Sequence, residues 1–267
     1  LKMKNKLKSI IITSISFFLI LPIITSASIA FSPDSFLTIP TNNLTFKWFY
    51  EFFNQTRWTD ALLRSLIMAI VSTILGLTTG LPLAYAMTRL NIPLKDIIHG
   101  VIILPLLIPP IIIGIGALPL FYAMRLNGTI IEVVLMHSCL LLPIFYLILK
   151  HKIQSINPEI EKVAMGLGAG IFETLWLITL PLLLPAIVIS GICGFSISIN
   201  ETMVALFLAG PTNETIATMT WSQLKEAPTP IIVVASIINL MVILICALAI
   251  RFLLIIFTNN NNHTNRI

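Results

Sequence analysis

Charge is what this chain has least of. Asp, Glu, Lys and Arg make up 10% of its 267 residues, against about 25% in an average soluble protein. Such a composition cannot cover a water-facing surface, so the solvent is mostly lipid. Cysteine is scarce too, and Cys139, Cys193 and Cys246 all lie in apolar runs. Their spacing suits neither a disulfide framework nor a metal site; no metal is expected, and the three read as small core residues. No G-x-x-x-x-G-K-[ST] run occurs, which excludes a P-loop for ATP. No Ser/His/Asp set, Cys/His set or carboxylate pair is visible either. Cys139 and His137 are two apart and point to different helix faces. His99 and His137 sit in apolar runs and read as packing residues with one satisfied nitrogen. Covalent catalysis is therefore not expected. The net charge of +5 has no basic and aromatic stripe behind it, so nucleic acid is not an expected partner.

What fills the chain instead is long stretches without Asp, Glu, Lys or Arg: 9–33, 65–95 broken only by Arg89 and Lys95, 97–124, 133–149, 174–200 and 227–250. Crossing hydrocarbon takes about 20 apolar residues, and backbone groups there must be satisfied within the segment, so these are helices. The runs predict an all-α membrane protein with six spans, at about 10–30, 61–88, 97–123, 129–149, 178–202 and 229–257. The first run follows four lysines and precedes the small residues of TSASIA, which gives it the makings of a secretory signal peptide. Its apolar stretch is slightly long for that, and it is read as a retained span. Pro105, Pro109 and Pro110, with Gly114 and Gly116 after them, predict bends in the third span. Such bends serve either packing or a curved wall around a translocation path.

Lysine and arginine orient the chain. Six crossings put both termini on one side. That side holds Lys2, Lys4, Lys6, Lys8, Arg89, Lys95, Lys150, Lys152, Lys162, Arg251 and Arg266, and the other holds Lys47, Arg57, Arg64, Arg125 and Lys225. Both termini are expected in the cytoplasm. The loops 31–60 and 203–228 then face outward and 150–177 inward. The organisation expected is an N-terminal helix and outward loop over 1–60, a core of five spans over 61–257 and a cytoplasmic tail over 258–267.

The inward loop starts with strong helix-initiation chemistry. Asn157 suits the cap, Pro158 the first helical position, and Glu159 and Glu161 the positive helix end. Ile160, Val163, Ala164 and Leu167 then recur at helical spacing and make one apolar stripe. Gly166, Gly168 and Gly170 permit a sharp turn. A second helical stretch carries Phe172, Trp176 and Ile178 back towards the membrane. A helix lying on anionic lipid would present a basic face. This one carries Glu159, Glu161 and a single Lys162, so a protein groove fits it better than a lipid surface does.

The stretch EKVAMGLGAGIFETLWLITLPLLLP resembles the cytoplasmic loop of binding-protein-dependent ABC importer permeases. That family's pattern is roughly Glu-Ala-Ala, three residues, Gly, nine residues, Ile-x-Leu-Pro. Gly168 fits the glycine and is followed by Ala169. Ile178, Leu180 and Pro181 fit the tail, and Ala164 fits the second alanine. Val163 replaces the first alanine, and the family's glutamate falls on Lys162, with Glu161 one residue earlier. WTDALLRSLIMAIVSTILGL, LPLLIPPIIIGIG and ISINETMVALFLAGP look like the same family, and together they look most like its spermidine/putrescine permeases and their aminoethylphosphonate and iron relatives. The resemblance implies a type I ABC importer permease fold with a cytoplasmic coupling helix. It also implies a cytoplasmic ATPase dimer, a second permease subunit, identical or related, and a periplasmic substrate-binding protein. Glu159, Glu161, Lys162, Ala164, Gly168, Ala169, Leu180 and Pro181 would couple to the ATPase. ATP would be held by that partner, and no cofactor is expected in this chain.

Glu201 follows a charge-free stretch, and Ser196, Ser198 and Asn200 precede it. Intramembrane charges are costly and tend to face cavities. Ser198, Asn200 and Glu201 are candidates for a substrate path, in which Glu201 at the pore mouth attracts a cation such as a polyamine. The other reading is an interfacial cap or a pair with a basic residue. Outside this class, an ion-driven secondary transporter would show inverted repeats and several buried charges near the midplane. Apart from Glu201, neither is visible.

Overall fold

A computed structural model of the chain describes residues 2–40 and 43–264. The regular elements among them are all helical. They are α1 Lys2–Ile29, α2 Lys47–Asn54, α3 Thr56–Arg89, α4 Lys95–Leu107, α5 Pro110–Ala123, α6 Ile130–Ser155, α7 Pro158–Gly166, α8 Ile171–Thr174, α9 Leu180–Asn200, α10 Met203–Leu208, α11 Ile216–Glu226 and α12 Ile231–Thr264. A π-helical turn, Leu175–Thr179, joins α8 to α9. Among the described residues, five stretches are long and apolar enough to cross a membrane unbroken: Ile11–Ile29, Thr56–Arg89, Ile130–Ser155, Ile171–Asn200 and Ile231–Phe252.

The expected third span is not one helix. It is the pair α4 and α5, bent by 105°. Two adjacent prolines cause the break. Pro109 and Pro110 both lack a donor, and a proline drives the residue before it out of the helical region. Ile108 is accordingly extended, with φ −93° and ψ 129°, and so is Pro109, with φ −55° and ψ 132°.

The bent pair still travels from one end of the bundle to the other. Ile102 of α4 packs with Tyr146 and Leu149 near the end of α6, where His99 Nδ1 lies 2.9 Å from the Tyr146 hydroxyl. Phe121 of α5 packs with Val133 and Val134 near the start of α6. Val134 and Tyr146 are about 18 Å apart at 1.5 Å per residue. A re-entrant loop returns to the side it came from; this pair runs on along α6 instead, and taken as one broken span it makes a sixth candidate crossing.

The chain divides into two compact units, Leu1–Asp60 with Met219–Met241 and Ala61–Thr218 with Val242–Ile267. In the first, Trp48 is buried and donates its indole N–H to the Ser32 carbonyl at 2.8 Å. Phe52 stacks near Trp58 at 5.6 Å between ring centroids. In the second, α3, α6 and α9 meet around the buried ring of Phe145. A Cβ added at Gly76 or Gly194 would overlap that ring, and one at Gly80 would crowd the Cβ of Phe145. Small residues are how membrane helices approach closely, since lipid supplies no hydrophobic drive between them. Polar contacts add to this: Ser72 donates to the Val134 carbonyl and Ser138 to the Ser72 carbonyl, both at 3.2 Å.

Three expectations need amendment. Residues 219–241, placed with the core in the sequence reading, group with the N-terminal unit. The tail from 258 continues α12 as far as Thr264, and its last three residues lie outside the described ones. Cys139 and Cys193 are exposed rather than packed inside, and Cys246 is half-buried. Where lipid is the solvent, a thiol on the outer surface meets no water, so no hydrophobic drive pulls it inward.

Candidate functional site

The inward loop folds as its residues dictate. The Asn157 side chain accepts from the Glu159 N–H at 3.0 Å, so it caps α7. Pro158 takes the first position, where its missing donor costs nothing. At the other end, Gly168 has φ +100°. Its N–H reaches the Met165 carbonyl and the Ala169 N–H reaches that of Ala164, both at 3.1 Å. This pair of bonds is a Schellman stop, whose left-handed residue is best a glycine. The chain turns sharply there. Thr174 Oγ then donates to the Gly170 carbonyl at 3.0 Å as the next helix begins.

One residue of α7 points inward. Glu161 is 4% exposed. Its Oε2 accepts from Arg89 Nε at 3.0 Å and its Oε1 from the Thr179 hydroxyl at 2.9 Å. Arg89 also donates through Nη2 to the Ile156 carbonyl at 2.9 Å. Thr179 is in place because of Pro181. That proline has no N–H to continue an ordinary turn, and its ring crowds the carbonyl four residues back. The helix widens there, with the Leu180 N–H reaching back to the Leu175 carbonyl. π turns of this kind often re-aim a side chain at a working site.

The rest of α7 faces outward. Ile160, Val163 and Leu167 of the predicted stripe are exposed, Leu167 at 85%, and Ala164 is half-buried. Glu159 and Lys162 are exposed as well and pair with each other at 2.8 Å. Phe172, Trp176 and Leu177 continue the apolar surface beyond the turn. Ala164, Leu167, Gly168, Ala169 and Glu173 line an open dent of about 380 Å³. Leu180, with Tyr85, Phe172 and Trp176, lines an apolar groove of about 340 Å³. The coupling candidates thus split. Glu161 is engaged inside, Gly168 and Pro181 shape the backbone, and Glu159, Lys162, Ala164 and Ala169 border the open face.

The second candidate set sits at the far end of α9. Glu201 caps α10: its carboxylate accepts from the N–H groups of Met203, Val204 and Ala205 at 3.0, 2.9 and 3.2 Å. His137 Nε2 lies 3.5 Å from the same carboxylate, and His137 Nδ1 lies 2.9 Å from the buried Ser198 hydroxyl. Asn200 is exposed and donates to the Ser196 carbonyl at 2.8 Å. Ser198 and Glu201 are therefore brought together, with His137 as the third member. Among the described residues no group of three or more His, Cys, Asp or Glu is placed to hold a metal ion.

Sequence reasoning missed Arg89, Thr179 and His137 as members of these sites. Arg89 entered it only as a topology marker, although it is the single charge between Arg64 and Lys95. That isolation was the available signal. Nothing local marks Thr179 or His137.

A family model described as the binding-protein-dependent transport system inner membrane component matches residues 76–258. The spermidine/putrescine transport system permease protein PotC of Haemophilus influenzae is 26% identical over 246 residues, 92% of this chain and 94% of that protein. The protein of the same name in Escherichia coli strain K12 is 25% identical over 237 residues, 89% of each. The molybdenum transport system permease protein ModB of Mycobacterium tuberculosis is 33% identical over 162 residues, 56% of this chain and 61% of that protein. A solved bacterial ABC transporter involved in import of the acidic polysaccharide alginate contains a chain that overlays with a TM-score of 0.73 at 18% identity, covering 94% of this chain and 96% of that one. That likeness supports the type I permease fold. With its apolar helices and a family match over more than half its length, the chain belongs to the binding-protein-dependent transport system inner membrane components, as a multi-pass, non-catalytic permease subunit of an ABC importer.

Proposed function

We propose that this permease couples ATP hydrolysis on a partner subunit to polyamine import, with α7 as the helix that the ATPase grips. One observation carries the coupling reading: α7 is capped at both ends, anchored by one inward residue, and shows its apolar stripe to the outside. A helix with an exposed apolar face seeks a groove. Mixed charges at Glu159 and Lys162 suit a protein groove better than anionic lipid. ATP acts by favouring one conformation of the assembly, and a gripped lever is how that preference reaches the spans. A second permease subunit and a periplasmic binding protein complete the machine. The meeting of Arg89 with Glu161 puts the end of α3 on the same side as α7. With the lysine and arginine distribution, this supports a cytoplasmic loop and cytoplasmic termini.

The polyamine assignment rests on relatives that match most of the chain. Glu201 does not carry it, because its carboxylate caps α10. Molybdate is the second reading, favoured by the higher identity to a molybdenum permease over a shorter stretch. Purification in mild detergent tests both parts. An ATPase and a second permease co-purify with the chain, and spermidine, delivered with the binding protein, raises ATP hydrolysis. Absence of any ATPase overturns the coupling reading. Stimulation by molybdate but not by spermidine or putrescine overturns the polyamine assignment alone.

A further inference from the structure

We propose that Arg89, Glu161 and Thr179 form a clasp that carries movement of α7 into α3 and α9 together. The proposal rests on the coupling role given to α7 and adds the route by which its displacement reaches the membrane helices.

Glu161 is the only buried residue of α7. Ala164 is half-buried, and the other seven of its nine residues are exposed. Whatever force a partner applies to the outer face must therefore reach the spans mainly through Glu161 or through the two ends of the helix. Its two carboxylate oxygens go to two different helices. Oε2 takes the Arg89 N–H at the last residue of α3, and Oε1 takes the Thr179 hydroxyl in the π turn at the foot of α9. Tyr85, one turn earlier on α3, lines the same groove as Thr179. The Ile156 carbonyl, on the entry to α7, accepts the remaining Arg89 bond. The entry and the first turns of α7 are thus fastened to α3 through one guanidinium.

The fastening is stiff for a physical reason. The two charged side chains are 12% and 6% exposed, so water and salt screen them far less than a surface pair. Separating them would leave a buried charge without its partner. The pair therefore moves as a unit, and a tilt of α7 pulls the inner ends of α3 and α9 in one direction. These act as positioning residues, through the helices they join.

The test uses the full complex of the chain with its co-purified ATPase and second permease, in lipid nanodiscs. Hydrogen exchange is read with and without ATP plus vanadate, which needs no knowledge of the cargo. In the wild type, ATP with vanadate changes exchange in α7 and also in the inner turns of α3 and α9, by about fivefold or more. In Glu161→Gln the change in α7 persists while that in α3 and α9 shrinks to less than about twofold, and in Thr179→Val the change in α7 and α3 persists while that in α9 shrinks to less than about twofold. The reversed pair Arg89→Glu with Glu161→Arg restores a large part of the response. Thr179→Val leaves the ion pair in place and decides the matter if the charge variants do not fold. A wild type with no response in α7 overturns the coupling role itself. A response in α7, with α3 and α9 still following in Glu161→Gln or α9 still following in Thr179→Val, overturns the clasp alone.

Discussion

Gly194 of α9 exists as a notch for Phe145 of α6: a methyl group added at Gly194 would occupy the space of the Phe145 ring. Gly76 of α3 receives the same ring from another direction. Three helices thus share one aromatic plug that is fully buried. The contact is van der Waals packing, the main attraction available between helices in lipid.

Replacing Gly194 with alanine should destabilise the folded chain by about 1–3 kcal/mol, the usual cost of overpacking a filled core. Gly76→Ala should do the same, and Phe145→Leu in either background should recover part of the loss. Gly116, with nothing within 4 Å of its added Cβ, is the control, and Gly116→Ala should leave stability unchanged or slightly raised. Unfolding midpoints in detergent check the order. Equal midpoints for the variants at 194 and 116 would remove the plug from the account.

Gly168→Ala should fray the end of α7. Its φ of +100° suits glycine, and a side chain there costs about 1–2 kcal/mol. Hydrogen exchange at the amides of residue 168 and Ala169, which close the Schellman stop, should speed up about fivefold or more. Gly166→Ala, two residues earlier and helical, should slow exchange or leave it unchanged. Similar effects at both positions would count against the stop.

Charges placed on the outer face of α7 should release the ATPase while sparing the fold. Val163→Asp and Leu167→Asp change residues that are 60% and 85% exposed, so the isolated chain should keep its unfolding midpoint. Co-purification of the ATPase should fall at least about tenfold, as for an interface anchor. Lys162→Gln should likewise leave the fold nearly unchanged, since an exposed pair such as Lys162 and Glu159 contributes at most about 1 kcal/mol. Full retention of the ATPase by both aspartate variants would show that this face is not the docking surface.

Glu201 separates a cap from a pore-mouth charge. Glu201→Ala strips three backbone N–H groups of their acceptor and should cost about 1–2 kcal/mol. Glu201→Gln keeps one acceptor oxygen and should cost less. With uptake normalised to folded protein, the KM for spermidine should be unchanged in Glu201→Gln. A KM raised about tenfold would instead mean that this carboxylate meets a cation, since that factor corresponds to about 1.4 kcal/mol of binding.

Much of this was legible in the chain because lipid makes simple demands. Charge-free runs mark where helices must lie, and five of the six spans follow from them directly. The cap at Asn157, the turn at Gly168 and the stripe of Ile160, Val163 and Leu167 are local chemistry, readable within a dozen residues. The bend at Pro109 was visible in kind but not in size. One proline kinks a helix, whereas two in succession leave an extended joint. Arg89 and Glu161 are 72 residues apart, and His137 and Ser198 are 61 apart. No periodicity links such pairs; only the packing of α3, α6 and α9 brings them together. Glu201 stood out as a charge, but its capping role depends on α10, a six-residue helix that its apolar sequence does not announce.

A straight rod can slide lengthwise between its neighbours; α4 and α5, joined at an elbow, cannot. Gly114 lies just past that elbow, and its missing side chain lets the Val204 backbone of α10 come close enough that an added Cβ would sit 3.3 Å from Val204 Cα. The elbow therefore bears directly on α10, and through the α10 N–H groups on the Glu201 carboxylate that caps it, so bend and cap share one tightly packed seam.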